Sequence, residues 1–135
     1  MLRPLALILL ALPALPAAAQ EPAWPDAFAA SISDAQSTCA DFAVSPEAVS
    51  QRDLNGDGTL DWVLDTAGFS CSDSYGTFCG TGGCGVETLI DGVKGSLLLR
   101  SWDTVTEAGV TYLTAPNDAG ETVRFLWSGT EWVLQ

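Results

Sequence analysis

The sequence has no histidine, and this absence argues against several kinds of active site. Histidine is the usual general base in Ser-His-Asp and Cys-His hydrolases, so a nucleophile in this chain would need help from lysine or a carboxylate. No serine lies in a nucleophile-elbow sequence. Carboxylate pairs of the kind that hydrolyse glycosides are expected by chance among 17 acidic residues. The sequence therefore predicts a protein without catalytic activity.

Long hydrophobic runs are limited to the amino terminus, where Leu5 to Leu15 is uncharged and apolar. This run is shorter than the roughly 20 residues that a helix needs to cross a bilayer. Small residues follow it, with Ala17 and Ala19 at positions −3 and −1 of a cleavage site. We therefore predict a removable signal peptide over residues 1–19 and one exported domain over residues 20–135, in the periplasm or outside the cell. We expect no membrane span after the signal is removed.

Basic residues are scarce. After Arg3 leaves with the signal, four basic residues face 17 acidic ones, a formal charge of −13. The four basic residues are Arg52, Lys94, Arg100 and Arg124. Nucleic acid and anionic membranes would repel this chain, whereas calcium or a cationic envelope protein is a favoured partner. The same charge would also keep an exported protein soluble and monomeric.

Cysteine is present in an even number, as Cys39, Cys71, Cys79 and Cys84. In an oxidising compartment four cysteines predict two disulfides. The glycine-rich segment between Cys79 and Cys84 can fold back tightly, which favours that pair and leaves Cys39 with Cys71. The competing idea, a zinc site, has little support because no two cysteines have zinc-knuckle spacing and histidine is absent.

Periodicity predicts a helix followed by strands. Phe28, Ile32, Ala35 and Cys39 would share one face of a helix over about 26–38. The alternating segments after it predict strands near residues 48–52, 62–66, 86–90, 96–102, 110–114, 122–127 and 131–134. The predicted fold class is α+β, with a short N-terminal helix packed on a mainly antiparallel β meander and two disulfides.

Turn residues separate several of these strands and support the prediction of hairpins. They are Asp91-Gly92, Asn117 to Gly120, and Ser128-Gly129. Aromatic and aliphatic residues alternate along the last two strands, and we predict that they form the core. These residues are Val123, Phe125, Trp127, Trp132 and Leu134. No internal repeat is visible, so a full propeller is excluded.

Residues 53–61 have oxygen-bearing side chains at the spacing of a calcium loop. The candidate ligands are Asp53, Asn55, Asp57, Thr59 through its carbonyl, and Asp61. Calcium prefers six to eight oxygen ligands, and Gly58 stands at the sixth position, where such a loop turns sharply. The alternative is an Asp/Asn/Gly-rich turn that binds nothing.

This loop differs from an EF-hand, because Leu64 stands where the bidentate Glu would be and the following residues have the pattern of a strand. The stretch DLNGDGTLDWVL resembles the calcium loops of FG-GAP and VCBS repeats in integrin-like propellers, where such a loop joins two antiparallel strands. The resemblance covers residues 53–64 and implies the ligand set named above. With FCGTGGC at residues 78–84, the chain also resembles small exported bacterial proteins that combine such a loop with a cysteine-rich stretch.

Two functional classes follow. The first is a calcium-stabilised exported binding or structural module, with weak affinity in the range of about 10⁻⁴ to 10⁻³ M. The second is a small secreted or periplasmic inhibitor of a cationic enzyme such as a lysozyme. It would present its negative surface and the loop between Cys71 and Cys84, with Tyr75 and Phe78 exposed.

Overall fold

A short helical segment lies near the start of the described part of the chain. The computed structural model describes residues 23–73 and 76–135, so the predicted signal peptide and Tyr75 lie outside the described residues. A 3₁₀ turn at Asp26–Phe28 leads into helix α1, Ala29–Thr38. Pro25 precedes the turn with a φ of −69°, an angle that proline adopts without strain. The helix is confirmed where the sequence predicted it.

Eleven strands follow α1 in the described part of the chain, and most of them are short. They are β1 (Ala43–Val44), β2 (Val49–Arg52), β3 (Asp61–Asp65), β4 (Phe69–Ser70), β5 (Cys79–Gly80), β6 (Gly83–Ile90), β7 (Val93–Leu99), β8 (Asp103–Glu107), β9 (Val110–Pro116), β10 (Thr122–Trp127) and β11 (Trp132–Leu134). Two more 3₁₀ turns lie between them, at Pro46–Ala48 and Thr66–Gly68.

The strands form two main antiparallel sheets and one small one. Sheet I has the order β2-β3-β6-β5, with β7 paired along the other edge of β6. Sheet II has the order β11-β10-β9-β8. Strands β1 and β4 pair separately. Because β7 lies in sheet I and β8 in sheet II, residues 100–102 carry the chain from one sheet to the other.

Sheet I is covered on both faces, and neighbouring residues of β3 show this directly. Val63 and Leu64 are both fully buried, but they belong to two different hydrophobic clusters because successive side chains point to opposite faces. The cluster on the helix side contains Phe28, Ile32, Ala35, Ala48, Leu64 and Phe69. The cluster between the two sheets contains Leu54, Val63, Val86, Ile90, Leu99, Leu113 and Ala115. The architecture is therefore helix, sheet I and sheet II in three layers.

Specific contacts hold the two sheets together at both margins. On one side, Arg52 of sheet I pairs with Asp103 of sheet II at 2.7 Å and stacks over Trp102 at 4.9 Å. On the other side, Trp132 Nε1 donates to Thr88 Oγ1 at 3.1 Å. Gly95 is required at this margin because a Cβ there would come within 2.7 Å of Trp127.

Both predicted disulfides are confirmed. Cys39 pairs with Cys71, linking the end of α1 to the chain after β4, and Cys79 pairs with Cys84. The second bridge joins residues that stand directly opposite each other in β5 and β6. No free cysteine remains among the described residues.

The predicted fold class was wrong. Of the described residues, 46% lie in strands and 17% in helices, so this part of the chain is mostly β, and its helix does not stand at the amino terminus. The strands are antiparallel, as expected, but they do not form one meander. Sequence-adjacent hairpins were predicted correctly, whereas the pairing of β3 with the distant β6 was missed because no turn between adjacent segments gives a signal for it.

The predicted core was right only in part. Phe125, Trp127 and Trp132 are half-buried and pack against the inter-sheet cluster, whereas Leu134 is 60% exposed and Val123 is half-buried. The central positions belong to strands with fewer aromatic residues, since sheet I is packed from both sides. Strand β8 was missed because its sequence, DTVTE, has almost no apolar alternation. No helix in residues 23–73 or 76–135 is long and apolar enough to cross a bilayer.

Candidate metal-binding site

The candidate calcium loop joins two neighbouring antiparallel strands. Strands β2 and β3 pair with Arg52 opposite Asp61, so residues 53–60 close the hairpin between them. The prediction that a strand and not a helix follows the loop is confirmed. Leu54 is fully buried in the inter-sheet cluster and anchors the start of the loop. The remaining loop residues are half-buried or exposed.

Asp53 organises the first half of the loop by accepting two backbone hydrogen bonds. Gly56 N donates to Asp53 Oδ1 at 2.7 Å, and Gly58 N donates to Asp53 Oδ2 at 2.9 Å. Both glycines have positive φ, 78° and 86°, where a residue with a side chain would be strained. A Cβ at Gly56 would also lie 2.9 Å from Thr111 Oγ1. The loop therefore packs closely against sheet II.

Asn55 and Asp57 order the second half of the loop. Thr59 N donates to Asp57 Oδ1 at 2.7 Å, and Asp57 N donates to Asn55 Oδ1 at 3.1 Å. The Asn55 amide nitrogen lies 3.3 Å from Asp57 Oδ2. Asp57 is exposed, and each carboxylate oxygen retains lone-pair capacity beyond its one hydrogen bond. Asn55 and Asp57 thus keep oxygens that a cation could use.

Asp61 is the buried member of the group, with only 3% of its surface exposed. Leu54 N donates to Asp61 Oδ2 at 2.8 Å. Burial raises the pKa of Asp61 above its usual 3.8; the hydrogen bond from Leu54 opposes the rise, and the charges of Asp57, Asp91 and Asp53 add to it. The Asp61 carboxylate is therefore destabilised by its surroundings, and a bound cation would relieve that effect.

Asp91 is a neighbour of the candidate loop that the sequence interpretation missed. It lies in the β6–β7 hairpin with a φ of 49°, and its Oδ2 accepts a hydrogen bond from Asn55 Nδ2 at 3.1 Å. The pairing of Trp62 with Leu89 places this hairpin at the same end of sheet I as the loop. In the sequence, Asp91 followed by Gly92 indicates only a turn, so no local signal identifies this contact.

None of the carboxylates of Asp53, Asp57, Asp61 and Asp91 forms an ion pair with a basic side chain of the described residues. All four basic side chains of residues 23–73 and 76–135 are paired with other carboxylates. The pairs are Arg52–Asp103, Lys94–Glu87, Arg100–Asp118 and Arg124–Glu107. The loop carboxylates and Asp91 therefore repel one another without compensation from a basic side chain.

The oxygen donors of the loop suit a hard cation, although their carboxylates do not converge on a single point. In residues 23–73 and 76–135, three Cys or carboxylate ligand atoms lie within 4.8 Å of each other only at Cys39, Cys71 and Asp73, where the two sulfurs form a disulfide. The loop carboxylates are spaced more widely than this. Thr59 is positioned through its N–H bond to Asp57. Calcium, with its long and flexible coordination, tolerates the adjustment that binding requires better than magnesium.

Phe78 does not have the exposure that the inhibitor hypothesis predicted for it. Phe78 is half-buried and makes edge-on ring contacts with Phe42 at 5.8 Å and with Phe69 at 5.3 Å. It therefore helps to cover the helix-side cluster and is not presented as an anchor for a partner. Tyr75 lies outside the described residues.

Substituting Asn for Asp61 should flatten the pH dependence of stability in the presence of a chelator. Because the folded state raises the pKa of Asp61, the contribution of Asp61 to the stability of wild type is fully present below about pH 3.8 and is lost as pH rises through the folded-state pKa. Asn keeps an oxygen for the Leu54 N–H but does not ionise. Urea unfolding in chelator between about pH 4 and 7 measures the difference.

The matched control for this experiment is Asp34→Asn, an exposed carboxylate on α1. Its pH profile should follow wild type. If the stability of wild type and of Asp61→Asn changed with pH in the same way, ionisation of Asp61 would not destabilise the folded state, and the prediction would be wrong.

Comparison with known proteins gives no match: no protein-family model, no curated protein and no solved structure is significantly similar to this chain. The resemblance of residues 53–64 to FG-GAP and VCBS loops therefore remains a hypothesis that depends on the loop residues themselves.

Proposed function

We propose that this protein is a calcium-stabilised exported binding or structural module without catalytic activity. The observation that supports the proposal is that the loop side chains and Asp91 lie together at one end of the two packed sheets. No basic side chain of the described residues pairs with them. A divalent cation supplies the positive charge that this group lacks.

The chemistry of the donors favours calcium over other metals. Carboxylate and amide oxygens are ligands for hard cations. The ligands that zinc and copper prefer are missing, since the sequence has no histidine and the described residues have no free thiol. Asp53, Asn55, Asp57 and Asp61 would ligate through side chains, Thr59 through its carbonyl. Asp91 would add an oxygen from a second hairpin in place of the glutamate that the loop lacks.

The surroundings of the loop explain how calcium would stabilise the domain. Leu54 anchors the loop in the inter-sheet core, Gly56 packs against Thr111 of sheet II, and Asp91 approaches from the β6–β7 hairpin of sheet I. An ion held by the loop and Asp91 would therefore connect this end of both sheets. Its contribution to the domain is structural, and the remaining surface is left for a partner.

Export is supported by three features of the chain. The amino-terminal run has the composition of a signal peptide, the described domain has two disulfides, and the residues after the signal are strongly acidic. Disulfides persist in the periplasm and outside the cell, so either compartment fits.

Calcium at about 1 mM should raise the melting temperature of the protein relative to the protein in chelator. With a dissociation constant near 10⁻⁴ to 10⁻³ M, the gain is on the order of 1 kcal/mol, which corresponds to a shift of several degrees. Asp57→Ala should abolish the shift because it removes an exposed ligand, and Asp91→Ala should reduce it. Differential scanning calorimetry and isothermal titration calorimetry measure the shift and the binding.

Asp34→Ala is the charge-matched control, since it removes one exposed carboxylate far from the loop in sequence and has no part in the site. It should respond to calcium as wild type does. Magnesium should substitute poorly because it requires a smaller octahedral shell. Melting curves that coincide in calcium and in chelator, with no heat of binding, would show that the loop is only a turn.

A further inference from the structure

A partly apolar groove lies at the opposite end of β7 from the Asp91 hairpin. It has a volume of about 470 Å³ and lies between the end of β7, the β9–β10 hairpin and β11. Leu98 is 63% exposed on one side of it and Leu134 is 60% exposed on another. Val123 and Phe125 are half-buried between them. A groove of this volume is within the range of ligand sites.

The strand that borders this groove has an unpaired edge. Within the described residues, β7 pairs with β6 alone, over seven residues from Val93 to Leu99. The three-residue strand β11 likewise pairs only with β10 in this part of the chain. Near Gly95, the side chains of Trp127 and Trp132 fill the space between β7 and β11. The other end of β7, at Leu98, borders the groove. Unpaired strand edges are where an extended peptide adds to a sheet.

Arg100 supplies a positive charge at the rim of the groove. Its Nε donates to Thr81 O at 2.9 Å, and one terminal nitrogen donates to Asp118 at 2.7 Å. Arginine has five N–H donors, and two are used in these bonds. The Asp118 side chain is 94% exposed on the β9–β10 turn, so this ion pair is weak and open to exchange. Arg100 can therefore bind a second carboxylate.

We propose that this groove binds the carboxyl-terminal end of an extended, apolar peptide. The peptide backbone pairs with the free edge of β7, an apolar side chain enters between Leu98, Phe125 and Leu134, and the terminal carboxylate binds Arg100. The carboxylate partner is selected by charge, because Arg100 is the one basic residue among the described residues that line the groove. This site does not depend on calcium, since it lies at the other end of sheet I.

The test uses fluorescein-labelled hexapeptides of alternating threonine and aliphatic residues that end in leucine, as free acids and as carboxamides. In fluorescence anisotropy the free acid should bind at least about tenfold more tightly, because a charge-assisted hydrogen bond is lost in the amide. N-methylation of alternate peptide amides should abolish binding through the strand edge. All titrations are run in 1 mM calcium and repeated in chelator.

Two variants at the rim should act in opposite directions. Arg100→Ala should remove the preference for the free acid, and Asp118→Ala should strengthen free-acid binding because Asp118 competes for the same guanidinium. Arg124→Ala is the matched control, since Arg124 is equally exposed but pairs with Glu107. Equal binding of acid and amide, insensitivity to Arg100→Ala, or no binding at millimolar peptide would each overturn the proposal. These outcomes are separate from the calcium test.

Discussion

Replacing Cys39 and Cys71 together by serine is expected to lower the free energy of unfolding by about 3 to 4 kcal/mol. The bridge spans 32 residues and encloses β1 to β4 together with the candidate calcium loop. Without it the unfolded chain gains loop entropy, and α1 loses its covalent link to the segment after β4. The melting temperature should fall by on the order of 10 to 20 °C. Urea unfolding followed by tryptophan fluorescence measures the change.

The second disulfide provides the comparison. Cys79 and Cys84 have a sequence separation of 5, so serine replacement of this pair should cost only about 2 kcal/mol. The two double variants are purified under the same non-reducing conditions. A larger loss from the shorter bridge would contradict the chain-entropy explanation and would point to a specific role for the glycine segment between them.

Leu54→Ala is expected to destabilise the protein by about 2 to 5 kcal/mol, the range for a fully buried leucine in a core. Leu54 has 0% exposure and packs in the cluster between the two sheets. Its backbone N–H also holds the Asp61 carboxylate. The cavity should therefore loosen the loop and weaken calcium binding at the same time. Chemical unfolding in chelator gives the first effect, and titration calorimetry at low temperature gives the second.

Leu60→Ala is a matched control within the same loop. Leu60 is 59% exposed, so its truncation should change stability by about 0.5 kcal/mol or less. Similar losses for Leu54→Ala and Leu60→Ala would show that the loop is not anchored in the core as the structure indicates.

Local features of the fold were predictable because they depend on neighbouring residues. The helix over 26–38, the turns at Asp91-Gly92 and Ser128-Gly129, and the strands on both sides of the candidate loop all have local patterns. The tight Cys79–Cys84 pair follows from the glycines between its cysteines. These elements need only capping, turn and alternation preferences, and those preferences are properties of short segments.

Long-range arrangement was predicted poorly, as the core and the sheets show. Aromatic residues in β10 and β11 have the strongest alternation, yet the most buried positions are on β3, β6 and β9. Burial is decided by how many layers cover a strand, and a single strand sequence does not contain that information. The transfer of the chain from sheet I to sheet II at residues 100–102 has no distinct local signal, so one meander was predicted in place of two sheets.

By itself, the sequence determined the identity of the loop donors, their spacing and the negative charge around them. Only the tertiary structure decided that Asp61 is buried, that Asp91 approaches Asn55 across 36 residues, and that every basic side chain of the described residues is paired elsewhere. The physical reason is that ligand type is a property of each residue, whereas desolvation and repulsion depend on which distant groups the strand register brings together.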